Sequence, residues 1–284
     1  MPFTLSHAAA VLPAVRADGT GRGRLIPAVL VAGSFAPDMT YFAASVLDGA
    51  MEFGEFTHSF TGAFTVDALV AWTLVWLWLV VREPLVALAP AKWRGRLGTL
   101  LGCGTPRARV TPPLVLRWYA SAVLGALTHV VWDAFTHHDR WGMRLFPVLG
   151  HTIAGSPLYW YLQYGSSAVA AVVIAVFVAH ALRRTPARDG AAGVPVLSVR
   201  DRWVAGTLIV GCAVVCAVQR AARWWTYWKA TAKPWELIPS LCFGGGAGLV
   251  VSGLLYAVAV RVWRPVPASC DPAEAGRERS GSAR

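Results

Sequence analysis

Charge is scarce in this 284-residue chain: only 14% of its residues are Asp, Glu, Lys or Arg, while 56% are apolar. Soluble globular domains carry about 25% charged residues, so the composition excludes that class and indicates a polytopic membrane protein. Acidic residues are the rarer sign, 15 against 26 basic ones, which leaves a net charge of +11. Cysteine is sparse as well. Cys103, Cys212, Cys216, Cys242 and Cys270 are odd in number and lack the close pairing of a thiolate metal site, which excludes a disulfide framework. Cys212 and Cys216 share a helix face as small packing residues. The N-terminus has no basic flank of the signal-peptide kind, and His7 interrupts its first apolar stretch, so it is expected to be retained.

Long apolar runs are abundant. Those near 25–47, 60–81, 114–136, 157–182, 203–219 and 239–263 each approach the roughly 20 residues needed to cross the hydrocarbon. The expected fold is an all-α transmembrane helical bundle of about six spans, preceded by a short helix over 7–16 with Ser6 as its N-cap. It forms one membrane domain over 1–264 with cytoplasmic linkers at 82–113 and 183–202, followed by a disordered tail over 265–284 rich in Pro, Ser and charge. In the first linker, Lys92, Arg94 and Arg96 alternate with Leu97, Leu100 and Leu101, as in a helix lying on the membrane surface. Gly244 to Gly248 lies in an apolar run without the Lys-Ser/Thr of a phosphate loop, and reads as close helix packing. Six spans put 20 of the 26 basic residues on one side, which the positive-inside bias assigns to the cytoplasm. Basic charge is therefore a topological signal. Membrane lipids are the expected partners, with no nucleic acid.

Against this background the stretch His129-Val-Val-Trp-Asp133-Ala-Phe-Thr-His137 stands out, because positions 129, 133 and 137 share one helix face inside an apolar run. A titratable trio is costly in a bilayer unless something binds it. His58 opens the second span at the level where the third, antiparallel span ends at His137. A hairpin between the first short helix and the Leu25–Ala36 run, which stops at Pro37-Asp38, returns His7 and Asp38 to the same level. Six side chains, His7, Asp38, His58, His129, Asp133 and His137, thus converge from four segments. Taken alone, each histidine reads as an interfacial packing residue; together, imidazole and carboxylate without thiolate suit a catalytic transition-metal site, zinc first and manganese or iron as alternatives. On a straight helix His129 and His137 lie ~12 Å apart, too far for one ion. Two ions astride Asp133, or one histidine orienting a ligand, are the choices, and two ions are preferred. His129 and Asp133 are the candidate catalytic pair, with Asp67, His151 and Gln163 as possible orienting or substrate-binding residues.

Five pieces carry a resemblance: Met1-Pro-Phe-Thr-Leu-Ser-His7-Ala-Ala, Gly33-Ser-Phe-Ala-Pro37-Asp38, Thr57-His58-Ser-Phe-Thr-Gly62, His129 through His137, and Leu162-Gln163-Tyr-Gly-Ser-Ser167. Together they resemble the bacterial integral-membrane family called domain of unknown function 4184. They are more distantly similar to membrane-bound predicted metal-dependent hydrolases of the YdjM type. The resemblance implies a multi-pass protein of the bacterial cytoplasmic membrane. The expected activity is metal-dependent hydrolysis of a phosphoester or acyl bond in a lipid or lipid-linked substrate at the outer leaflet. The alternatives are a metal or proton conduit, for which the intramembrane Asp67 is the motive, and a structural membrane protein without catalysis.

Overall fold

The computed structural model describes residues 3–105, 109–186, 193–228 and 234–264. The expected tail over 265–284 and Cys270 lie outside the described residues. Within them the regular structure is helical apart from one two-stranded hairpin, Thr152–Ile153 with Ser156–Pro157, and an isolated bridge between Val15 and Gly21. The helices are α1 (Ala8–Val11), α2 (Pro27–Phe35), α3 (Met39–Ala43), α4 (Gly54–Thr57), α5 (Phe60–Phe64), α6 (Val66–Leu88), α7 (Ala91–Leu100), α8 (Pro112–Ala134), α9 (Trp141–Leu145), α10 (Leu158–Arg184), α11 (Val199–Trp228) and α12 (Leu237–Trp263). Five of them, α6, α8, α10, α11 and α12, are long and apolar enough to cross a membrane. This is a multi-pass helical membrane protein.

The first apolar run differs from the other five. Over 25–47 the chain makes the nine-residue α2, a 3-10 turn at Ala36–Asp38 and the short α3. A nine-residue helix rises only ~13 Å, less than half the hydrocarbon thickness. Pro37 supplies the break, because it has no N–H to continue the ladder of α2. Instead of crossing, α2 stands between two spans. Val29, Ala32 and Ala36 pack against Ala68, Ala71 and Val75 of α6 and against Ala122 and Val123 of α8. Small side chains let the backbones meet. A Cβ on Gly33 would overlap the Ala122 carbonyl, and one on Gly125 would overlap the Leu30 carbonyl. The start of α2 is tied down by the Ile26 N–H donating to Ser121 Oγ at 3.0 Å and by Arg117 Nε donating to the Arg24 carbonyl at 2.8 Å.

Before it, the N-terminal arm is a 3-10 turn at Thr4–His7, α1, and a second 3-10 turn at Leu12–Ala14. Ser6 does not cap this arm; its hydroxyl donates to the Phe3 carbonyl at 2.6 Å, which fixes the 3-10 turn that carries His7. The arm and α2 form a hairpin with both ends at one level.

The span near 60–81 continues as α6 to Leu88, past Pro84 and into the expected linker. Pro84 leaves the Val80 carbonyl without its helical donor, and the Arg261 guanidinium of α12 donates to that oxygen. Within the linker, Ala91–Leu100 forms α7, where the alternation of basic and leucine residues indicates a helix. On the far side of the bundle, a Cβ on Gly244 would meet the Cys216 carbonyl and one on Gly248 would meet Ala213, so α11 and α12 touch through the glycine run and the small cysteines.

Since α2 and α8 meet at backbone distance, Gly125→Val is expected to destabilise the protein by about 1–3 kcal/mol. Thermal unfolding in detergent checks this. An unchanged midpoint would contradict the close packing.

Candidate metal centre

Three loops and one span deliver the polar residues to the top of α2. His129 and Asp133 lie one turn apart on α8, so both face α2. Asp38 follows Pro37 in the 3-10 turn that ends α2, and His58 closes α4. The Thr57 hydroxyl donates to the Pro37 carbonyl at 2.8 Å, which pins these two turns together. All four side chains are buried, at 0% exposure for Asp38 and His129, 2% for Asp133 and 5% for His58.

Their donor atoms form a small cage. His58 Nε2 is 3.3 Å from Asp38 Oδ1 and 3.5 Å from Asp133 Oδ2, while His129 Nε2 is 3.6 Å from Asp38 Oδ1 and 3.4 Å from Asp133 Oδ2. The two Nε2 atoms are 3.3 Å apart. One ligand atom from each of the four residues lies within 4.8 Å of all the others. Charge-assisted hydrogen bonds would be about 2.7–2.9 Å long, so these edges are too wide for them. Ligands held about 2.0–2.1 Å from a tetrahedral ion are separated by roughly 3.3–3.4 Å, close to the five edges that involve an imidazole.

Both imidazoles are oriented from behind. His129 Nδ1 donates to the Ser34 carbonyl at 2.7 Å and His58 Nδ1 donates to the Gly54 carbonyl at 2.8 Å. With Nδ1 donating to a carbonyl, the Nε2 edge of each ring faces the cage and offers a lone pair there when the ring is neutral. Burial lowers the His58 pKa, which favours the neutral form of that ring. Asp38 is oriented too. Its Oδ2 accepts from Thr4 Oγ1 at 2.6 Å and its Oδ1 faces the centre. Two lone pairs and two carboxylates aimed at one buried point repel unless a cation lies between them.

His7 and His137 flank the cage. The ring of His7 stacks on His129 with centroids 3.5 Å apart, and its Nε2 is 3.5 Å from Asp133 Oδ1. Neither His7 nitrogen has a hydrogen-bond partner among the described residues, and burial lowers the pKa of this ring. His137 lies beyond the end of α8. After Ala134 the chain turns back through Phe135 N–H to the Trp132 carbonyl and Thr136 N–H to the Asp133 carbonyl, at 3.1 and 3.2 Å. The ~12 Å separation of a straight helix therefore does not arise. Instead, His137 Nδ1 comes within 3.6 Å of Asp133 Oδ2, and burial pulls its pKa down to about 4. Asp38, His58, His129 and Asp133 could together hold a metal ion, with these two histidines beside the group.

Of the remaining candidates, Gln163 reaches the site, its amide donating to His137 Nε2 at 3.1 Å. Asp67 is buried in the first turn of α6, outside the ligand group, and neither of its oxygens has a hydrogen-bond partner among the described residues. His151 is exposed at the base of the β-hairpin and is not part of the group. Sequence reasoning missed Thr4, Tyr41 and Arg140. Tyr41 lies over His58 with ring centroids 5.3 Å apart, and Arg140 Nη2 donates to its hydroxyl at 3.5 Å. Thr4, three residues before His7, was legible as part of the N-terminal motif; Tyr41 and Arg140 carried no spacing signal.

The family model described as Domain of unknown function (DUF4184) matches residues 1–258. No curated protein and no solved structure matches the chain.

Removing the outer support and removing a ligand should differ in degree. Thr4→Val frees Asp38 Oδ2 and should weaken zinc binding roughly 10- to 100-fold, whereas Asp133→Ala should abolish it. Competition with a chromogenic chelator measures both. Wild-type affinity in Asp133→Ala would remove Asp133 from the ligand set.

Proposed function

The chain belongs to the domain of unknown function 4184 family, and from that premise we propose that it is a membrane-embedded metal-dependent hydrolase. Its substrate is a lipid or lipid-linked molecule with a phosphoester or acyl bond. The observation that carries this reading is the buried His58, His129, Asp38 and Asp133 cage, with its five imidazole edges at 3.3–3.6 Å and both imidazoles turned inward by backbone carbonyls. Asp38, His58, His129 and Asp133 would hold a divalent transition metal, zinc before manganese or iron, since no thiolate joins the set. A cation there supplies Lewis-acid charge, which makes a nearby water more acidic and offsets negative charge on the reacting oxygen.

The chain's own residues do the rest. His7 is neutral, buried and without a hydrogen-bond partner at either nitrogen among the described residues, so it can take a proton from the attacking water. Its stacking on His129 fixes the ring plane. Gln163 holds His137 at its Nε2, which sets the tautomer that faces Asp133. Phe53, Phe56, Phe60, Leu145 and Phe146 are exposed apolar side chains on the segments around the centre, a rim suited to a lipid. With most basic residues on the opposite side, the centre faces outward from a bacterial cytoplasmic membrane.

Asp67 motivates a second reading, a metal or proton conduit, because a buried carboxylate with no partner among the described residues is costly unless it serves transport. That reading predicts flux in proteoliposomes that Asp67→Asn abolishes. Hydrolysis without flux rejects it.

For the hydrolase, the full chain purified with zinc should cleave a chromogenic ester, lose the activity on chelation and regain it on adding metal back. His7→Gln should keep the metal and lower turnover about 100-fold or more, as removal of a general base does. A wild-type protein without bound transition metal, indistinguishable from Asp133→Ala, would overturn the proposal.

A further inference from the structure

The two bond types left open above differ in charge. A carboxylic ester reaches the centre neutral, whereas a phosphoester brings at least one negative charge and needs a cationic partner besides the metal. The basic residues near the centre therefore discriminate between them.

Arg220 is committed elsewhere: its guanidinium donates to the Tyr41 carbonyl at 2.8 Å and to Ser45 Oγ, and it lies over the Phe243 ring. Arg223 is exposed and loosely faces Asp48 at 3.9 Å. Arg140 is different. It directly precedes α9, and α9 is seated on the end of α8 so closely that a Cβ on Gly142 would overlap the Ala134 carbonyl. The side chain is only 16% exposed, and its Nε is buried with no hydrogen bond among the described residues. The nearest carboxylate, Asp139 Oδ1, is 3.8 Å away on a side chain 67% exposed, a pair that solvent screens. Arg140 Nη2 instead reaches the Tyr41 hydroxyl at 3.5 Å, and the Tyr41 ring lies over the His58 imidazole. A guanidinium with a donor to spare is thus held on Tyr41, whose ring covers the candidate metal ligand His58. Tyr41 is held there by Gly54, where any Cβ would strike the phenol ring.

We propose that Arg140 and Tyr41 form the anion-binding arm of the centre and that its substrate is a phosphoester, with Arg140 forking two oxygens of the phosphate group and the Tyr41 hydroxyl donating to one of them. This rests on the metal-centre reading above and narrows it. A guanidinium matches the planar spacing of phosphate oxygens, which a lysine ammonium does only as a point charge.

The test uses the zinc-loaded full chain in phosphatidylcholine nanodiscs, with inorganic phosphate as the calorimetric probe and metal content measured in every sample. Wild type should bind phosphate, and Arg140→Gln should bind it about tenfold or more weakly at unchanged metal content, the loss expected for one charged hydrogen-bonding partner. Arg140→Lys should recover part of the affinity, and Tyr41→Phe should lose less than Arg140→Gln. A second arm adds phosphatidic acid to the nanodiscs. Disappearance of the phosphate heat there identifies a lipid-borne phosphate as the occupant, and its persistence a soluble phosphoester; both support the assignment. Equal phosphate affinity in wild type and Arg140→Gln, with metal retained, overturns the assignment and leaves the metal-dependent hydrolase standing. A wild type that holds zinc but binds no phosphate does the same. Loss of metal in the wild type itself overturns both.

Discussion

The constraint on which the rest of this structure depends is electrostatic: two imidazole lone pairs and two carboxylates converge on one buried point. Each backbone carbonyl behind His58 and His129 takes the Nδ1 proton, so when the rings are neutral no hydrogen remains to bridge the cage. In an apolar interior that repulsion is expensive, and a divalent cation converts it into coordination bonds. The surrounding fold can be understood as the apparatus that holds these donors in place. A helix too short to cross the bilayer stands between α6 and α8 because only its end, with Ser34 and Asp38, is needed at the centre. Glycines at 33 and 125 permit the close approach that brings that end within reach of α8.

This account also explains why polar residues survive in so apolar a chain. Thr4, Thr57 and Gln163 each spend their hydrogen bonds on a ligand, on the backbone beside one, or on a flanking histidine. Bound metal would then contribute folding free energy, because the N-terminal arm, the α2 turn, α4 and α8 are otherwise joined at this level by like-natured groups.

Much of this was legible in the sequence, for identifiable reasons. Hydrophobic length is a strong signal in membrane proteins, and five of six apolar runs do form long helices. The convergence of His7, Asp38, His58 and Asp133 followed from counting span directions and from Pro37 as a stop. Less legible is the fate of the 25–47 run: its hydropathy suits a sixth crossing, but Pro37 ends α2 after nine residues. Pro84 had the opposite effect: its break is repaired by Arg261, some 180 residues away, and no local pattern could announce that donor. The straight-helix distance between His129 and His137 failed because α8 ends at Ala134, without a glycine or proline to mark the place. Tyr41 and Arg140 meet only through the packing of α3 and α9 near the end of α8, and neither has a periodic partner in the chain.

The central claim concerns the composition of the cage, and X-ray absorption spectroscopy of the zinc-loaded protein addresses it most directly. The account predicts one zinc per chain in a four- to five-coordinate shell of nitrogen and oxygen at about 2.0–2.1 Å, with imidazole scattering from two histidines and no sulfur. A spectrum with sulfur ligands at about 2.3 Å, or one of hydrated ion without imidazole scattering, would contradict it.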